Sequence, residues 1–312
     1  MKVVVDKYIP FIQDALVPYA SVVALEPDDI SPDVVRDADA LIIRTRTKVN
    51  ASLLDGSTVQ FVATATIGYD HIDTDYCRRH NIAVTSCPGC NAQAVCDYIE
   101  ECLRHLALPT AATIGIVGVG HVGSLVAQMA ERKGYHIILN DPPKNIGKSL
   151  DEIAQKCDFI TFHTPLIKEG QYPTYHLCDS HFLQRCNPGA IIVNAARGGV
   201  VDEKALLASS HPYILDTWEN EPNINTDVLR KAELASFHIA GYSVQGKLNA
   251  SQMCLDAFSK HFGTPILSID KKVVSLHADY GDSAPGWLQR VSEQLKANPA
   301  QFEQLRKQYK LR

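Results

Sequence analysis

The sequence predicts an α/β protein with two doubly wound parallel sheets, one in each of two domains. Short apolar, β-branched segments alternate with helical stretches along most of the chain, as in parallel strands joined by crossover helices. The alternation occurs in two successive series, and 312 residues are enough for two domains. We therefore expect domains over residues 1–91 and 92–240, and a shortened C-terminal tail over residues 271–312.

Five candidate strands predict the first domain. They are Val3–Asp6, Val22–Leu25, Ala40–Arg44, Val59–Ala65 and Ile82–Thr85. Ser31 and Pro32 begin a helix between them, since serine favours the N-cap and proline the first turn. A long helix at residues 243–263, ended by Gly263, follows the second series, and we expect it to pack back on the first domain.

Six candidate strands predict the second domain. They are Thr113–Val117, His136–Asn140, Asp158–His163, Ala190–Asn194, Tyr213–Asp216 and Ala235–His238. A helix from Asn91 to Leu108, with an apolar stripe at helical spacing, joins the two series. Ser149 and Glu152 form a capping box at the start of another helix. The tail is polar, and its last residues, 301–312, predict a charged helix.

Composition and charge exclude several classes of function. A net charge of -5 gives no reason to expect a nucleic-acid or anionic-membrane partner. The N-terminal apolar run stops at Asp6 and Lys7, and no later run approaches the roughly 20 residues of a membrane helix. Nine cysteines without secretory features indicate reduced thiols, so we expect a cytoplasmic protein.

A glycine-rich segment predicts a dinucleotide site. Gly118-Val-Gly-His-Val-Gly123 follows a strand and opens a helix, the context that a G-x-G-x-x-G motif requires. Gly120 lets the backbone approach a pyrophosphate, and the helix N-terminus attracts its negative charge. Asp141, at the end of the next strand, would bind the ribose hydroxyls, which favours NAD over NADP. The second domain is thus predicted to be a Rossmann domain that binds NAD.

Three residues that follow strands of the second domain are candidate catalytic residues. Arg197 can bind a carboxylate and the adjacent oxygen, since strand C-termini line the ligand crevice of such sheets. His238 is a candidate acid/base, because imidazole titrates near neutral pH, and Glu221 would fix its tautomer. The set is typical of an alcohol dehydrogenation in which the hydroxyl proton and a hydride leave together.

Several segments resemble the D-isomer-specific 2-hydroxy-acid dehydrogenases. They are RTRTKVN (44–50), FVATATIGYDHID (61–73), CPGCNA (87–92), GIVGVGHVG (115–123), NDPP (140–143), TFHTPL (161–166), NAARGGVVD (194–202), DTWENEP (216–222) and HIAGY (238–242). The resemblance implies that the active site lies in a cleft between a substrate (lid) domain and the NAD-binding domain. It also implies catalytic roles for Arg197, Glu221 and His238.

Further site residues are implied by the same resemblance. Those expected to bind substrate are Thr45, Thr66 and Tyr242. Those expected to bind NAD are Gly118, Gly120, His121, Val122, Gly123, Asp141, Thr164, Ala195, Asp216 and Gly241; no metal is implied. Arg44, Arg46 and Lys48 form a basic cluster suited to a substrate phosphate, or simply a solvated surface.

The implied reaction is NAD-dependent oxidation of 4-phospho-D-erythronate to 2-oxo-3-hydroxy-4-phosphobutanoate, a step of pyridoxal 5'-phosphate synthesis. Alternatives are a dehydrogenase for glycerate, 3-phosphoglycerate or lactate, and a non-catalytic NAD(H)-sensing regulator. Cys87 and Cys90 have the C-x-x-C spacing of redox or zinc sites, which would require a lowered thiol pKa. The tail is shorter than the dimerisation domain usual among such relatives, so a homodimer is only one expectation.

Overall fold

The chain forms two compact units. The computed structural model describes residues 1–265, 267–269 and 283–311, so residues 271–282 and 312 of the predicted tail lie outside the described residues. The first unit holds Met1–Asn91 and the segment that starts at Ser243. The second holds Ala92–Tyr242 and the described C-terminal residues.

The first unit contains a five-stranded, fully parallel sheet with the order β2-β1-β3-β4-β5. Its strands are β1 (Lys2–Asp6), β2 (Ser21–Leu25), β3 (Ala40–Ile43), β4 (Phe61–Thr64) and β5 (Ala83–Thr85). Every residue of β3 and β4 is buried, which explains their continuous apolar sequences. This strand order is one of the two common doubly wound arrangements, so the predicted fold class is confirmed here.

Helices cover this sheet. They are α1 (Ile12–Leu16), α2 (Pro32–Val35), α3 (Ala51–Leu54), α4 (Thr74–Arg79) and α11 (Val244–Phe262). The Ser243 hydroxyl caps α11 by accepting a hydrogen bond from Gly246 N, and Gly263 ends it at a φ of 66°. The Phe258 ring packs edge-on against Phe61 of β4 at 6.1 Å. Helix α11 therefore packs on the first sheet.

The second unit contains a seven-stranded sheet with the order β12-β11-β10-β9-β6-β7-β8. Its strands are β6 (Thr113–Val117), β7 (His136–Asp141), β8 (Ile146–Gly147), β9 (Phe159–Phe162), β10 (Ile191–Asn194), β11 (Tyr213–Leu215) and β12 (Leu234–Ala235). Among the described strands of this sheet only β8 pairs antiparallel, and this two-residue strand is not among the predicted ones. The chain order reverses between β6 and β9, and ligands of such sheets bind at this switch point.

Helices flank the second sheet and cover one of its edges. They are α5 (Ala92–His105), α6 (His121–Arg132), α7 (Leu150–Lys156), α8 (Ser180–Arg185), α9 (Glu203–Ala208), α10 (Thr226–Lys231), α12 (Trp287–Ala297) and α13 (Phe302–Gln308). The capping box of α7 forms in part, since the Ser149 hydroxyl accepts a hydrogen bond from Glu152 N. No described helix has the length and apolarity needed to cross a membrane.

The described C-terminal residues include a helix that the sequence analysis did not predict. Helix α12 lies in the segment that the sequence predicts to be a polar tail. It nevertheless buries Trp287, Leu288 and Leu295, which lie at helical spacing. Its Ser292 hydroxyl accepts a hydrogen bond from Ala235 N of the edge strand β12 at 3.0 Å. The helix therefore satisfies a backbone group that an edge strand would otherwise leave exposed.

Candidate active site and cofactor-binding site

The predicted cofactor residues follow the C-terminal ends of six strands of one sheet. Gly118 follows β6, Asp141 ends β7, Thr164 follows β9, Ala195 follows β10, Asp216 follows β11 and Gly241 follows β12. His121, Val122 and Gly123 lie in the first turn of α6, whose N-cap is Gly120. The C-terminal edge of a doubly wound sheet is where ligands bind, so these residues share the expected side of the unit.

The three motif glycines differ in what surrounds them. A Cβ on Gly123 would lie 1.9 Å from the carbonyl oxygen of Gly118, and Gly118 itself has a φ of 90°. A Cβ on Gly120 would meet no atom within 4 Å. Gly118 and Gly123 thus allow the turn to form, whereas Gly120 leaves open space beside the helix N-terminus. A pyrophosphate fits such a space.

Three side chains lie next to this loop: those of Asp141, Lys144 and Thr164. Oδ2 of Asp141 accepts a hydrogen bond from Val119 N at 2.8 Å, which fixes the carboxylate beside the glycine loop. Lys144 donates to Val119 O at 2.6 Å, with its Nζ 3.7 Å from Asp141. The Thr164 hydroxyl oxygen is buried and has no hydrogen-bond partner among the described residues, so it is available to a ligand.

Glu221 and His238 form a hydrogen-bonded pair. Nδ1 of His238 lies 2.8 Å from Oε2 of Glu221, whose Oε1 accepts from Trp218 N at 2.9 Å. Burial raises the pKa of the Glu221 carboxyl, but the hydrogen bond and charge of His238, the hydrogen bond from Trp218 N and, least of these, the charge of Arg306 together outweigh it, so the net pKa is lowered. The carboxylate is therefore favoured, and it can orient the imidazole and stabilise its protonated form.

Asp216 holds the turn that carries His238. Its carboxylate is 1% exposed and accepts hydrogen bonds from Ser236 Oγ, Ile239 N and Ala240 N at 2.7, 2.7 and 3.0 Å. These bonds turn the chain. The predicted strand Ala235–His238 is therefore wrong at its end, because β12 stops at Ala235. His238 lies beyond the strand and has a φ of 60°. Asp216 therefore positions the turn that carries His238, and its predicted contact with NAD stays a prediction.

Arg197 lies on a loop organised by Asn194. The Asn194 side chain donates to Arg197 O at 2.9 Å and accepts from Ala196 N at 3.1 Å. Arg197 is exposed, its Nη1 donates to Ala196 O at 2.8 Å, and it forms no ion pair with any acidic residue in the described part of the chain. Gly198 packs on the Trp218 carbonyl, where a Cβ would come within 1.9 Å of the oxygen. The Arg197 loop therefore contacts the loop that carries Glu221.

A second set of polar contacts joins these loops and was missed from the sequence. Nε2 of His176 lies 2.9 Å from Oε1 of Glu219, and its Nδ1 lies 3.6 Å from Asp202. Glu203 accepts a hydrogen bond from Glu219 N at 2.6 Å, and burial raises its pKa to about 7. The imidazole faces the two carboxylates with different nitrogens, and only the contact with Glu219 has the length of a hydrogen bond.

Tyr242 has a partner that the sequence analysis also missed. Nε of Arg306 on α13 donates a hydrogen bond to the Tyr242 hydroxyl at 3.0 Å, with the guanidinium 5.7 Å from the ring centre. The two residues are 64 positions apart, so no local spacing could have paired them. Tyr242 itself follows β12, in the same turn as His238.

The predicted substrate residues of the first unit follow β3 and β4. Thr45 is exposed, and the Thr66 hydroxyl donates to Gly68 O at 2.9 Å. Arg44 forms a two-point ion pair with the fully buried Asp6, at 2.8 and 3.1 Å. Its charge is therefore largely compensated. The two other members of the predicted basic cluster, Arg46 and Lys48, are exposed.

The cysteines lie in the interior of the protein. All nine are free and buried. Burial raises the pKa of the Cys90 thiol to about 12, the opposite of what a reactive thiol requires. Cys87 lies 3.6 Å from the sulfur of Cys254 and donates to backbone carbonyls. Burial and the raised pKa of Cys90 disfavour the C-x-x-C alternative, and both thiols lie in the core of the first unit.

Comparison with known proteins identifies the family of the chain. The family model for the D-isomer specific 2-hydroxyacid dehydrogenase NAD-binding domain matches residues 100–240. An erythronate-4-phosphate dehydrogenase of Bacteroides fragilis is 45% identical over 337 residues, covering 100% of this chain and 97% of that protein. One from Bacteroides thetaiotaomicron is 40% identical over 342 residues, again covering 100% and 97%.

A solved structure of another dehydrogenase has a similar fold. NAD+-bound 3-phosphoglycerate dehydrogenase from Entamoeba histolytica aligns with a TM-score of 0.70 at 25% identity, covering 86% of this chain and 98% of that one. The chain is an NAD-dependent oxidoreductase with an NAD-binding domain. It belongs to the erythronate-4-phosphate dehydrogenase family, within the D-isomer-specific 2-hydroxyacid dehydrogenases.

Proposed function

We propose that the chain oxidises 4-phospho-D-erythronate to 2-oxo-3-hydroxy-4-phosphobutanoate, with NAD as cofactor, in pyridoxal 5'-phosphate synthesis. The observation that carries the chemistry is the 2.8 Å hydrogen bond between His238 and Glu221. It turns a histidine into an oriented acid/base, which a binding protein that only senses NAD(H) does not need. The substrate is supported by the full-length relatives, which carry the name of this activity.

In the proposed mechanism, Nε2 of His238 takes the proton of the C2 hydroxyl, and Glu221 stabilises the imidazolium that forms. Arg197 binds the C1 carboxylate and polarises the C2 oxygen, since its guanidinium is exposed and unpaired with any described acid. Thr45, Thr66 and Tyr242 contact the substrate. Bound NAD supplies the hydride acceptor.

The proposed NAD site is the glycine loop with its neighbours. Backbone N–H groups at Gly120, His121 and Val122 face the pyrophosphate at the start of α6. Asp141 binds the ribose hydroxyls and disfavours a 2′-phosphate. The Thr164 hydroxyl fits a hydrogen bond to the cofactor because it has no described partner. Gly123, Ala195 and Gly241 shape the site, and we propose that Gly118 does so through its turn.

We place the reaction in the cytoplasm, because the nine cysteines are all free. A homodimer stays a prediction. The residues around the first sheet, 1–91 and 243–263, are proposed to form the substrate domain, and residues 92–240 the NAD-binding domain.

The test is NADH formation at 340 nm by the purified protein. The assay offers 4-phospho-D-erythronate beside D-glycerate, 3-phosphoglycerate and D-lactate, with a 2-oxo acid added in parallel to reoxidise tightly held NADH. We expect the highest kcat/KM with 4-phospho-D-erythronate. If another acid is preferred, the proposed mechanism still holds but the proposed substrate is wrong. If none of the acids is oxidised, the proposed function is contradicted.

A further inference from the structure

Arg306 lies beside the proposed catalytic pair although it comes from the end of the chain. It donates a hydrogen bond to Tyr242, which lies four positions after His238 in the same turn. Its positive charge acts on the carboxylate of Glu221. A cation from helix α13 thus reaches the part of the second unit that holds the acid/base.

The position of Arg306 is built into the fold. Helix α13 is anchored by Phe302 and Leu305, which are 1% and 5% exposed. The Tyr309 ring lies 5.8 Å from Phe237 and 6.5 Å from Tyr242, so the end of the helix packs on the residues that precede and follow His238. An arginine on such a support loses little conformational entropy when a ligand binds.

The guanidinium keeps free donors. Its Nε is used by Tyr242, while the nearest carboxylate in the described chain, that of Glu303, is 3.9 Å from Nη1 and too far for a hydrogen bond. The side chain is 28% exposed. Both terminal nitrogens can therefore donate to an anion, and a planar guanidinium suits two oxygens of one phosphate or carboxylate.

We propose that Arg306, positioned by Tyr242, binds the phosphate of the substrate. This rests on the proposed function, whose substrate carries two anionic groups, a carboxylate on the reacting carbon and a phosphate at the far end. Arg197 takes the carboxylate because it also polarises the oxygen of the adjacent carbon. Arg306, the cation that is hydrogen-bonded to Tyr242 four positions after His238, is then left for the phosphate. Arg306 thereby determines specificity for a phosphorylated acid, and the C-terminal helix is part of the substrate site.

The test measures binding without turnover. Saturating NADH prevents oxidation of a 2-hydroxy acid, so calorimetry can compare 4-phospho-D-erythronate with D-erythronate on wild type, R306Q, R306K and K307Q. Lys307 is exposed on the same helix and provides the matched loss of one charge. We expect R306Q to weaken binding of the phosphorylated acid by about tenfold to a hundredfold, the worth of a hydrogen bond to a charged group.

The affinity for D-erythronate should change little in R306Q, K307Q should match wild type, and R306K should keep part of the preference for the phosphorylated acid. Equal losses for both acids would show that Arg306 only supports the fold, and an unchanged preference would overturn the proposal outright. If R306Q does not fold, R306K provides the test. A purely structural role predicts that R306K leaves the ratio of the affinities for 4-phospho-D-erythronate and D-erythronate unchanged, whereas phosphate binding predicts that the ratio falls. Turnover is not needed, so a wild type that binds but does not oxidise 4-phospho-D-erythronate would contradict the proposed function alone.

Discussion

Gly198 packs against the carbonyl oxygen of Trp218 so closely that a Cβ at residue 198 would lie 1.9 Å from that oxygen. Gly198 directly follows Arg197, and Trp218 N donates a hydrogen bond to Glu221. The distance between the proposed carboxylate-binding residue and the acid/base pair is thus set by a contact that only glycine permits.

Replacing Gly198 with alanine should therefore impair catalysis through geometry. The two loops must move apart by about an ångström, and a displacement of that size can cost on the order of 10²-fold in rate. We expect kcat/KM for the hydroxy acid to fall by about that factor, while the affinity for NAD, measured by fluorescence of bound NADH, stays near wild type. Normal kcat/KM in a folded G198A protein would show that the loops tolerate separation.

The His238 and Glu221 side chains should act as one unit in catalysis. H238A should lower kcat by about 10²–10⁴-fold, the usual contribution of general acid–base catalysis, with NAD affinity unchanged. E221Q should also lower kcat, but adding it to H238A should cost little more, because Glu221 acts through the histidine. H136A, which removes an exposed histidine, is the control. Multiplicative losses in the double variant would give Glu221 an independent role.

The glycine loop allows cofactor binding to be separated from folding. G120A places its Cβ in open space at a φ of -82°, so the thermal midpoint should be unchanged, but the methyl group should obstruct the pyrophosphate and raise the Kd of NAD by about tenfold or more. G123A drives its Cβ against Gly118 O and should lower the thermal midpoint instead. Unchanged NAD binding in G120A would place the pyrophosphate elsewhere.

Asp141 should determine the choice between NAD and NADP. D141S removes the negative charge that repels a 2′-phosphate and keeps a hydroxyl near Val119 N, so the ratio of kcat/KM with NAD to that with NADP should fall by about tenfold or more. Both cofactors are compared in steady-state assays at fixed hydroxy acid. If the ratio does not change, the ribose contact is made by another residue.

The fold class could be predicted from the sequence because the spacing of apolar residues within each short segment shows which face of a strand or helix is buried. The ends of elements were less predictable, as β12 shows. The residues around His238 predict that the strand continues to this position. The Asp216 carboxylate instead accepts hydrogen bonds from Ile239 N and Ala240 N, which turns the chain. Helix α12 was missed although Trp287, Leu288 and Leu295 have helical spacing, because the surrounding tail is polar.

The site was predictable where a residue follows a strand and unpredictable where distant segments meet. Arg197, Glu221 and His238 follow strands, so topology alone brings them to one edge. Arg306 reaches Tyr242 across 64 residues, and His176 reaches Glu219 across 43. Such pairs depend on how loops and a terminal helix pack, which no pattern in a single sequence encodes.

Glu203 should make the stability of the protein depend on pH. Burial raises its pKa from 4.5 to about 7, so the folded state favours the protonated form. The stabilisation from that proton is complete below pH 4.5 and is lost as the pH rises through about 7. E203Q is neutral at every pH and keeps an oxygen that can accept from Glu219 N. Its stability relative to wild type should therefore increase between pH 5 and 8.

The free energy of unfolding of E203Q relative to wild type should increase by about 3 kcal/mol, since the pKa of Glu203 is raised from 4.5 to about 7 and each pKa unit corresponds to about 1.4 kcal/mol. Urea unfolding of both proteins at half-unit pH steps measures it. E131Q, which alters an exposed glutamate of α6, controls for the change in net charge. A constant difference between E203Q and wild type from pH 5 to 8 would mean that Glu203 is ionised throughout. It would then repel Glu219 and Glu221 at neutral pH, and the loops beside Arg197 would be held together against that repulsion.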